Sequence, residues 1–357
     1  MRILYVADAQ SVHTRRWAEA FRDLGVQVHV ASFRPAQIAG VEVHRLPTGG
    51  LGKVGYLLAV PALRRLAARL RPDVVHAQYL TSYGFLAAVA GLRPLVVTAW
   101  GSDVLVSPRE SRLSRALVGY ALRHADRVTT VAEHMNAAVV ALGAPAVRVQ
   151  AVPFGVDTTL FRPPAVPRAE PPPLRVICTR NFAPVYSVHT LVEAAQLLQG
   201  RGVALTLELV GAGPLRAELQ AQVQAAGLAP VTVFHGHVDH PRLVALLGAA
   251  QVFVSPAVSD GNNVSLNEAM ACGCFPVATD IPANAQWMEH GRNGLLFRPG
   301  DAAGLADALA HAAGDAALRR AAAAANRLIV EQRADWQVNV QRMRGIYENL
   351  MRLQESR

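Results

Sequence analysis

The chain has 357 residues, of which 52% are apolar, 17% charged and 6% aromatic. That length exceeds one ordinary core and predicts two domains of about 150 to 180 residues, and that apolar content excludes a disordered chain. The net charge of +9 lies wholly in the first half, because residues 1–165 carry 19 Lys+Arg against 10 Asp+Glu and residues 166–357 carry 16 against 16. An acidic partner is therefore expected: an anionic membrane surface or a phosphorylated acceptor. Nucleic acid is not expected, since no aromatic-rich basic platform or recognised motif is present. Cys178, Cys272 and Cys274 make no disulfide framework, which suggests a reducing compartment. Cys272 and Cys274 read as small core residues at a helix end, with no second Cys/His pair at ligand spacing.

Residues 2–7 form an apolar strand, a loop spans 8–14, and an amphipathic helix over 15–24 ends at Gly25. Strands follow at 26–31 and 41–46. Gly49, Gly50, Gly52 and Gly55 make a flexible loop before a basic helix ending at Arg71-Pro72. Then come a strand at 73–77, a helix at 83–90 and a strand at 94–99, with Trp100-Gly101-Ser102-Asp103 as the loop at its end. His76, Gln78, Thr81, Ser82 and Gly84 break the apolar run 74–92, so no membrane span is expected there. A basic helix over 109–124 carries Arg112, Arg115 and Arg123 beside Leu113, Leu117 and Tyr120. It is either a solvated face over a core stripe or a surface for anionic lipid. A strand at 127–131, a helix from Glu133 and a strand at 148–152 complete the first half. Six prolines (163, 164, 167, 171, 172 and 173) then mark a linker.

The alternation restarts with a strand at 174–179, a helix at 188–199, a strand at 204–210, and a turn of Gly211-Ala212-Gly213-Pro214 into a helix to about residue 226. A strand at 231–234, a short helix, and strands at 251–254, 275–278 and 294–297 follow. Ala-rich helices and a last helix from 335 to about 353 close the chain. The pattern predicts an α/β fold of two doubly wound parallel sheets facing each other across a deep cleft. Its domains are 1–165, 166–334 and a C-terminal helical segment 335–357 that packs toward the first.

The stretch 255–276 carries the most chemistry. It turns on Asp260-Gly261 and enters a helix near Asn262-Asn263, and Gly273 ends that helix as a left-handed cap. The bare amides of the first turn would suit an anion. Asp260 on the turn and Glu268 on the helix flank that spot. A capping reading competes, with Asn262 as the cap and Ser265 to Glu268 as a capping box.

These motifs resemble the family 4 retaining glycosyltransferases, which have the GT-B fold. The similarity covers nearly the whole chain. It is carried by 260–276 with its acid-x7-acid pair Asp260 and Glu268, by Asp280-Ile281-Pro282 and by residues 291–297. Val210 to Pro214, Pro153 to Asp157 with Phe161, and Ala125 to Val128 add to it. The resemblance implies transfer of a hexose from a nucleotide-sugar, UDP favoured over GDP, with retention of configuration. It implies Glu268 on the donor ribose and Asp260 by the donor sugar. Arg180 and the amides after Gly261 (Asn262, Asn263 and Val264) would hold the diphosphate, Gly211 would lie by it, and the base would stack near His237. No metal or cofactor is implied. The acceptor would be a saccharide or a lipid-linked sugar, read by loops 8–14, 48–56 and 79–83. The enzyme would be cytoplasmic and peripheral to the membrane.

Three positions depart from the family pattern. The first acid is Asp260 where Glu is usual. Arg180 is not followed by the usual lysine, although Arg180-Asn181 with Pro184-Val185-Tyr186 resembles one branch. Trp100 stands where a histidine often contacts the donor sugar, and His13 is a candidate to face the cleft instead, against a plainer reading as a surface loop histidine. Asp103 either binds substrate or caps the next helix. A sugar-nucleotide epimerase of the same fold and a non-catalytic nucleotide-binding relative are the alternative functions.

Overall fold

The computed structural model describes residues 1–48, 52–166, 168, 170 and 172–355. Gly49 and Gly50 of the expected loop, and Pro167 and Pro171 of the expected linker, lie outside the described residues. The chain divides into two compact units: Met1–Phe154 together with the residues from Gln337 on, and Gly155–Trp336.

The first unit runs β1 (Arg2–Val6), α1 (Val12–Asp23), β2 (Gln27–Ser32), β3 (Glu42–Arg45), α2 (Val60–Leu70), β4 (Val74–Gln78), α3 (Phe85–Val89), β5 (Leu95–Ala99), α4 (Ser102–Leu105), α5 (Ser107–Glu110), α6 (Arg112–His124), β6 (Arg127–Thr130), α7 (Met135–Ala141) and β7 (Val149–Ala151). Its seven strands pair in parallel in the order β3-β2-β1-β4-β5-β6-β7. β1, β4 and β5 are almost wholly buried, as the short unbroken apolar runs require of a sheet covered on both faces.

The second unit runs β8 (Leu174–Cys178), α8 (Val188–Gly200), β9 (Leu205–Val210), α9 (Arg216–Ala225), β10 (Thr232–Gly236), α10 (His240–Ala249), β11 (Val252–Ser255), α11 (Val264–Ala271), β12 (Phe275–Thr279), α12 (Pro282–Ala285), β13 (Leu295–Phe297), α13 (Ala302–Gly314) and α14 (Ala316–Arg333). Its order is β10-β9-β8-β11-β12-β13, again parallel. One core packs α8, α9 and α13 on the sheet, and another packs α10 and α11 against it. The three cysteines are buried. A last helix, α15 (Trp336–Glu355), begins at the end of the second unit and continues into the first.

The proline cluster does not mark the boundary between the units. Residues 155–165 belong to the second unit because their backbone is bonded there. Val156 N–H donates to the Ala334 carbonyl at 2.7 Å, and Trp336 N–H donates to the Val156 carbonyl at 2.8 Å. Arg327 donates to the Thr158 and Phe161 carbonyls at 2.8 and 2.6 Å, and Phe161 is buried. The chain therefore leaves the second unit and re-enters the first beside the residue where it came in.

Two other expectations change. The first helix begins at Val12 and not at 15, because the Ser11 side chain caps it by accepting from His13 N–H. His13 therefore sits in the first turn of a helix. The core stripe of α6 is Val118, Gly119, Ala121 and Leu122, whereas Leu113 is 68% exposed.

A buried polar chain ties α15 to the first sheet. Tyr347 Oη lies 2.6 Å from His76 Nδ1 and 3.2 Å from Tyr5 Oη. His76 Nε2 meets Thr98 Oγ1 at 2.5 Å, which meets Thr129 Oγ1 at 2.5 Å. Burial holds His76 far below its ordinary value of 6.5, at about 3, so the ring is neutral and bridges two hydroxyls. Burial also lowers His13 to about 4, with the Arg16 charge acting in the same direction.

Two outcomes are expected. Tyr347→Phe leaves His76 Nδ1 buried without its partner and lowers the stability of the first unit by about 1–3 kcal/mol, read by hydrogen exchange of its strands. In the unfolded chain His13 and His76 protonate near 6.5, so the folded unit keeps its full stability above that pH. It loses stability as the pH falls from 6.5 toward 4 and then 3. Exchange protection that is flat across pH 7 to 4 would contradict this, and His13→Gln should lessen the slope between pH 6.5 and 4, leaving the part that His76 contributes.

Candidate functional site

In the second sheet the chain winds outward one way through β8, β9 and β10 and the other way through β11, β12 and β13. The strand order therefore reverses between β8 and β11, and ligands of such sheets bind beyond the carboxyl ends of the strands at that point. Arg180 follows β8 and Asp260 follows β11. The fold brings the two together.

Arg180 Nη2 lies 2.5 Å from Asp260 Oδ2, with side chains 8% and 14% exposed. Nη1 donates to Asn263 Oδ1 at 2.7 Å, and the guanidinium sits 4.3 Å from the centre of the Tyr186 ring. Tyr186 was not singled out in the sequence as a site residue. Its signal is the Pro184-Val185-Tyr186 run, which forms a 3-10 turn held to the Asp260 loop by Val258 N–H donating to the Val185 carbonyl at 2.9 Å.

Asn263, and not Asn262, caps α11, because its Oδ1 accepts from Leu266 N–H at 3.1 Å. Its Nδ2 donates to Ser255 Oγ at 2.9 Å and to Asn284 Oδ1 at 2.8 Å. Two acceptor sites and two donor sites are thus all used. Ser265 makes no capping box, since its hydroxyl donates to the Thr179 carbonyl at 3.2 Å. The first turn is also less bare than expected. Val264 N–H donates to the Asn262 carbonyl at 2.9 Å, and Leu266 N–H is taken by the cap.

Freed from capping, Asn262 is 8% exposed, and neither its Oδ1 nor its Nδ2 has a partner. Arg180 Nε is likewise buried and unpartnered. Buried polar groups are normally hydrogen-bonded, so a partnerless Arg180 Nε and a partnerless amide on Asn262, the chain neighbour of the Asn263 that Arg180 bonds, make this a candidate place for a polar ligand. Glu268 lies in α11 at the fifth helical position, half-buried.

Gly211 and Gly213 serve the chain's own backbone. A Cβ at Gly211 would lie 2.5 Å from the Arg180 carbonyl oxygen, and one at Gly213 would lie 2.4 Å from that of Phe182. Their absent side chains let the loop after β9 lie against the Arg180 loop. His237 is exposed past the end of β10. Its neighbour His235 is the engaged ring, 2.5 Å from Glu208 Oε2.

The other candidates gather in the first unit. His13 stacks on Phe154 with centroids 3.7 Å apart, and Trp100 meets both rings edge-on at 5.6 and 5.7 Å. The reading of His13 as a surface loop residue is thereby overturned. Asp103 is fully buried, and its carboxylate accepts from Leu80, Trp100 and Gly101 N–H at 2.8, 3.0 and 2.9 Å. Burial pushes its carboxyl up from the ordinary value, against the pull of those amides. Asp103 thus positions two loops. One of them begins at Tyr79, a non-glycine residue at φ 72° that leads into a turn of π-helix. Beside it lies a cavity of about 650 Å³ walled by Phe33, Tyr56, Tyr79, Tyr83 and Trp100, with Gln78 and the exposed Asp8–Arg34 pair at its polar side.

Known proteins carry the same pattern. Residues 2–132 match the family described as Glycosyl transferase 4-like, and residues 173–315 match Glycosyl transferases group 1. The chain belongs to the group 1 glycosyltransferases. The glycogen synthase of Mycobacterium tuberculosis (strain CDC 1551 / Oshkosh) is 29% identical over 277 residues, 75% of this chain and 66% of that protein, so the chain spans just under two thirds of that relative. The D-inositol 3-phosphate glycosyltransferase of Arthrobacter sp. (strain FB24) is 28% identical over 341 residues, 85% of this chain and 81% of that protein. The crystal structure of Anabaena HepE in complex with UDP and glucose aligns with a TM-score of 0.80 at 21% identity, over 98% of this chain and 100% of that one. That likeness is one of fold, and the fold is GT-B.

The two asparagines should separate cleanly. Asn263→Ala leaves Arg180, Ser255 and Asn284 each short of a bond and is expected to cost the second unit about 3 kcal/mol or more. Asn262→Ala removes an amide without partners and should change stability by less than about 1 kcal/mol, in either direction. Urea unfolding followed by hydrogen exchange in the second unit checks both, and equal losses would contradict the assignment.

Proposed function

We propose that the protein is a retaining glycosyltransferase that moves a hexose from a nucleoside diphosphate sugar to a saccharide or lipid-linked acceptor. The observation that carries this reading is the Arg180–Asp260–Asn263 network beside the unpartnered Asn262 amide, at the reversal of strand order in the second unit. In transfer, the bond from the anomeric carbon to the β-phosphate breaks and one to the acceptor hydroxyl forms. Negative charge develops on the leaving diphosphate, and fixed donors aimed at that charge lower the barrier. Arg180, with its free Nε, and Asn262 Nδ2 are such donors. A nearby carboxylate, Asp260, suits the oxocarbenium-like sugar of the transition state. Glu268 takes the donor ribose hydroxyls, and His237 lies by the base. UDP is favoured as the nucleotide, which the complex of HepE with UDP supports.

The acceptor lies in the aromatic cavity of the first unit. Flat aromatic walls with a few polar groups suit the apolar face and hydroxyls of a sugar ring. The cavity is lined by residues of all three loops expected to read the acceptor, though 49–51 lie outside the described residues. Docking on anionic lipid at the cytoplasmic face is supported by α6, where exposed Leu113 lies between exposed Arg112 and Arg115. Among the described residues no helix is long and apolar enough to cross a membrane.

A panel of sugar nucleotides scored by release of nucleoside diphosphate tests the activity, and no release from any donor with any sugar acceptor would overturn it. Turnover is expected to be unchanged by added Mg²⁺ or Mn²⁺. Glu268→Ala should weaken UDP binding about ten- to hundredfold, the worth of a charged hydrogen bond, while the fold is retained. UDP affinity equal to the parent's would remove Glu268 from the site.

A further inference from the structure

The first half of the chain contains a second polar cluster, at the opposite edge of its sheet from β7, that the transfer reaction does not use. β3 is a four-residue edge strand that pairs only with β2. The parallel register sets His29 against Glu42 and Ala31 against His44. Side chains alternate between faces along a strand, so residues two apart share one face. His29 on β2 and both Glu42 and His44 on β3 therefore stand together on one face, and the backbone alone dictates this.

The side chains converge. His29 Nδ1 is 3.2 Å from Glu42 Oε2 and 3.3 Å from His44 Nε2, and His44 Nδ1 is 3.7 Å from Glu42 Oε1. One ligand atom from each of the three residues falls within 4.8 Å of the other two. Two ligands bound to zinc at 2.0–2.1 Å and a tetrahedral angle stand about 3.3–3.4 Å apart. The separations at His29 match that edge length. Protons serve this cluster poorly. His29 Nδ1 faces a carboxylate oxygen and an imidazole nitrogen at once, and it carries at most one proton to share between them. Among the described residues, Glu42 has no lysine or arginine within ion-pair distance, so its charge is directed to the two rings.

We propose that His29, Glu42 and His44 form a zinc site that clips the edge strand β3 to β2. Two imidazoles and one carboxylate select a borderline transition ion over Mg²⁺ or Ca²⁺, which take oxygen ligands. The three protein ligands leave the fourth position to water. His29 is buried and Glu42 is largely exposed, so the ion would sit at the rim of the sheet, reachable from solvent. Its role is structural. An edge strand this short gains little from its own ladder, and a metal bridge holds it in register.

The test uses the full chain, without a histidine tag, stripped with chelator and titrated with ZnCl₂ by calorimetry and by competition with a chromophoric chelator. One equivalent per chain is expected, at micromolar Kd or tighter, together with a rise in melting temperature on zinc addition. Co²⁺ in place of zinc should give the intense visible absorption of a tetrahedral site. Glu42→Gln and His44→Gln alter exposed or half-buried side chains and should keep the native circular dichroism while weakening zinc at least tenfold. His235→Gln, at the other His–Glu pair, should bind zinc as the parent does. Zinc uptake that is non-saturable, or unchanged in both Glu42→Gln and His44→Gln, overturns the proposal. Loss of zinc binding without loss of sugar transfer would leave the glycosyltransferase reading intact.

Discussion

A single buried amide organises the candidate donor site. Asn263 is fully buried and spends every hydrogen-bonding position it has: on the Arg180 guanidinium, on Leu266 N–H, on Ser255 and on Asn284. Those four partners come from the end of β8, the start of α11, the end of β11 and the start of α12. Remove the amide and four elements lose their common point. The same constraint explains why a cation can be kept almost out of water here. Arg180 has fixed acceptors on two nitrogens and an aromatic face beside it, so the cost of desolvating it is met by the fold and not by a ligand. Donors held this way need no reorganisation when charge develops nearby, which is the condition for electrostatic catalysis.

The first unit uses the same device for a different end. Asp103 accepts three backbone N–H groups at the ends of β4 and β5, and so fixes the backbone next to the strained Tyr79 and at Trp100. The chain from Tyr5 to Thr129 through Tyr347 and His76 fastens α15 under the sheet. In both cases the buried carboxylate, hydroxyls and His76 ring nitrogens have their partners, whereas Asn262, Arg180 Nε and the Trp100 indole N–H do not.

Much of this was legible in the residues. The parallel alternation and the glycine after α11 follow from period and punctuation. Arg180 is a site candidate only through the resemblance, and its pairing with the turn acid Asp260 comes from the fold. Cap assignment was not legible: Asn262 and Asn263 are equally good caps by type, and only the bonding of the neighbouring strand ends decides between them. Gly211 read as a phosphate glycine because a turn glycine looks the same whether a ligand or the chain's own carbonyl lies against it. His13 was placed in a loop since Ser11, the residue that starts its helix, sits before any apolar period begins. The proline cluster misplaced the boundary, because composition reports where helix and strand stop and not which core a segment packs on. His29, Glu42 and His44 were invisible, since strand register and not sequence spacing makes them neighbours.

The ion pair between Arg180 and Asp260 bears on the two departures at this site from the usual family pattern. A lysine is missing after Arg180, and the first acid is one methylene short. In the structure the short acid reaches the arginine after β8 and pairs with it. On the proposed reading, an incoming diphosphate competes with Asp260 for that guanidinium. Two phosphate charges outweigh one carboxylate in a bidentate contest, so binding the donor would release the carboxylate at the moment the sugar arrives beside it. A second cation would have stabilised the diphosphate further, but it would also have held the acid more tightly and left less to exchange. The two departures are then one arrangement: a single arginine shared between an acid and the leaving group, with Asn263 holding it in place for either partner.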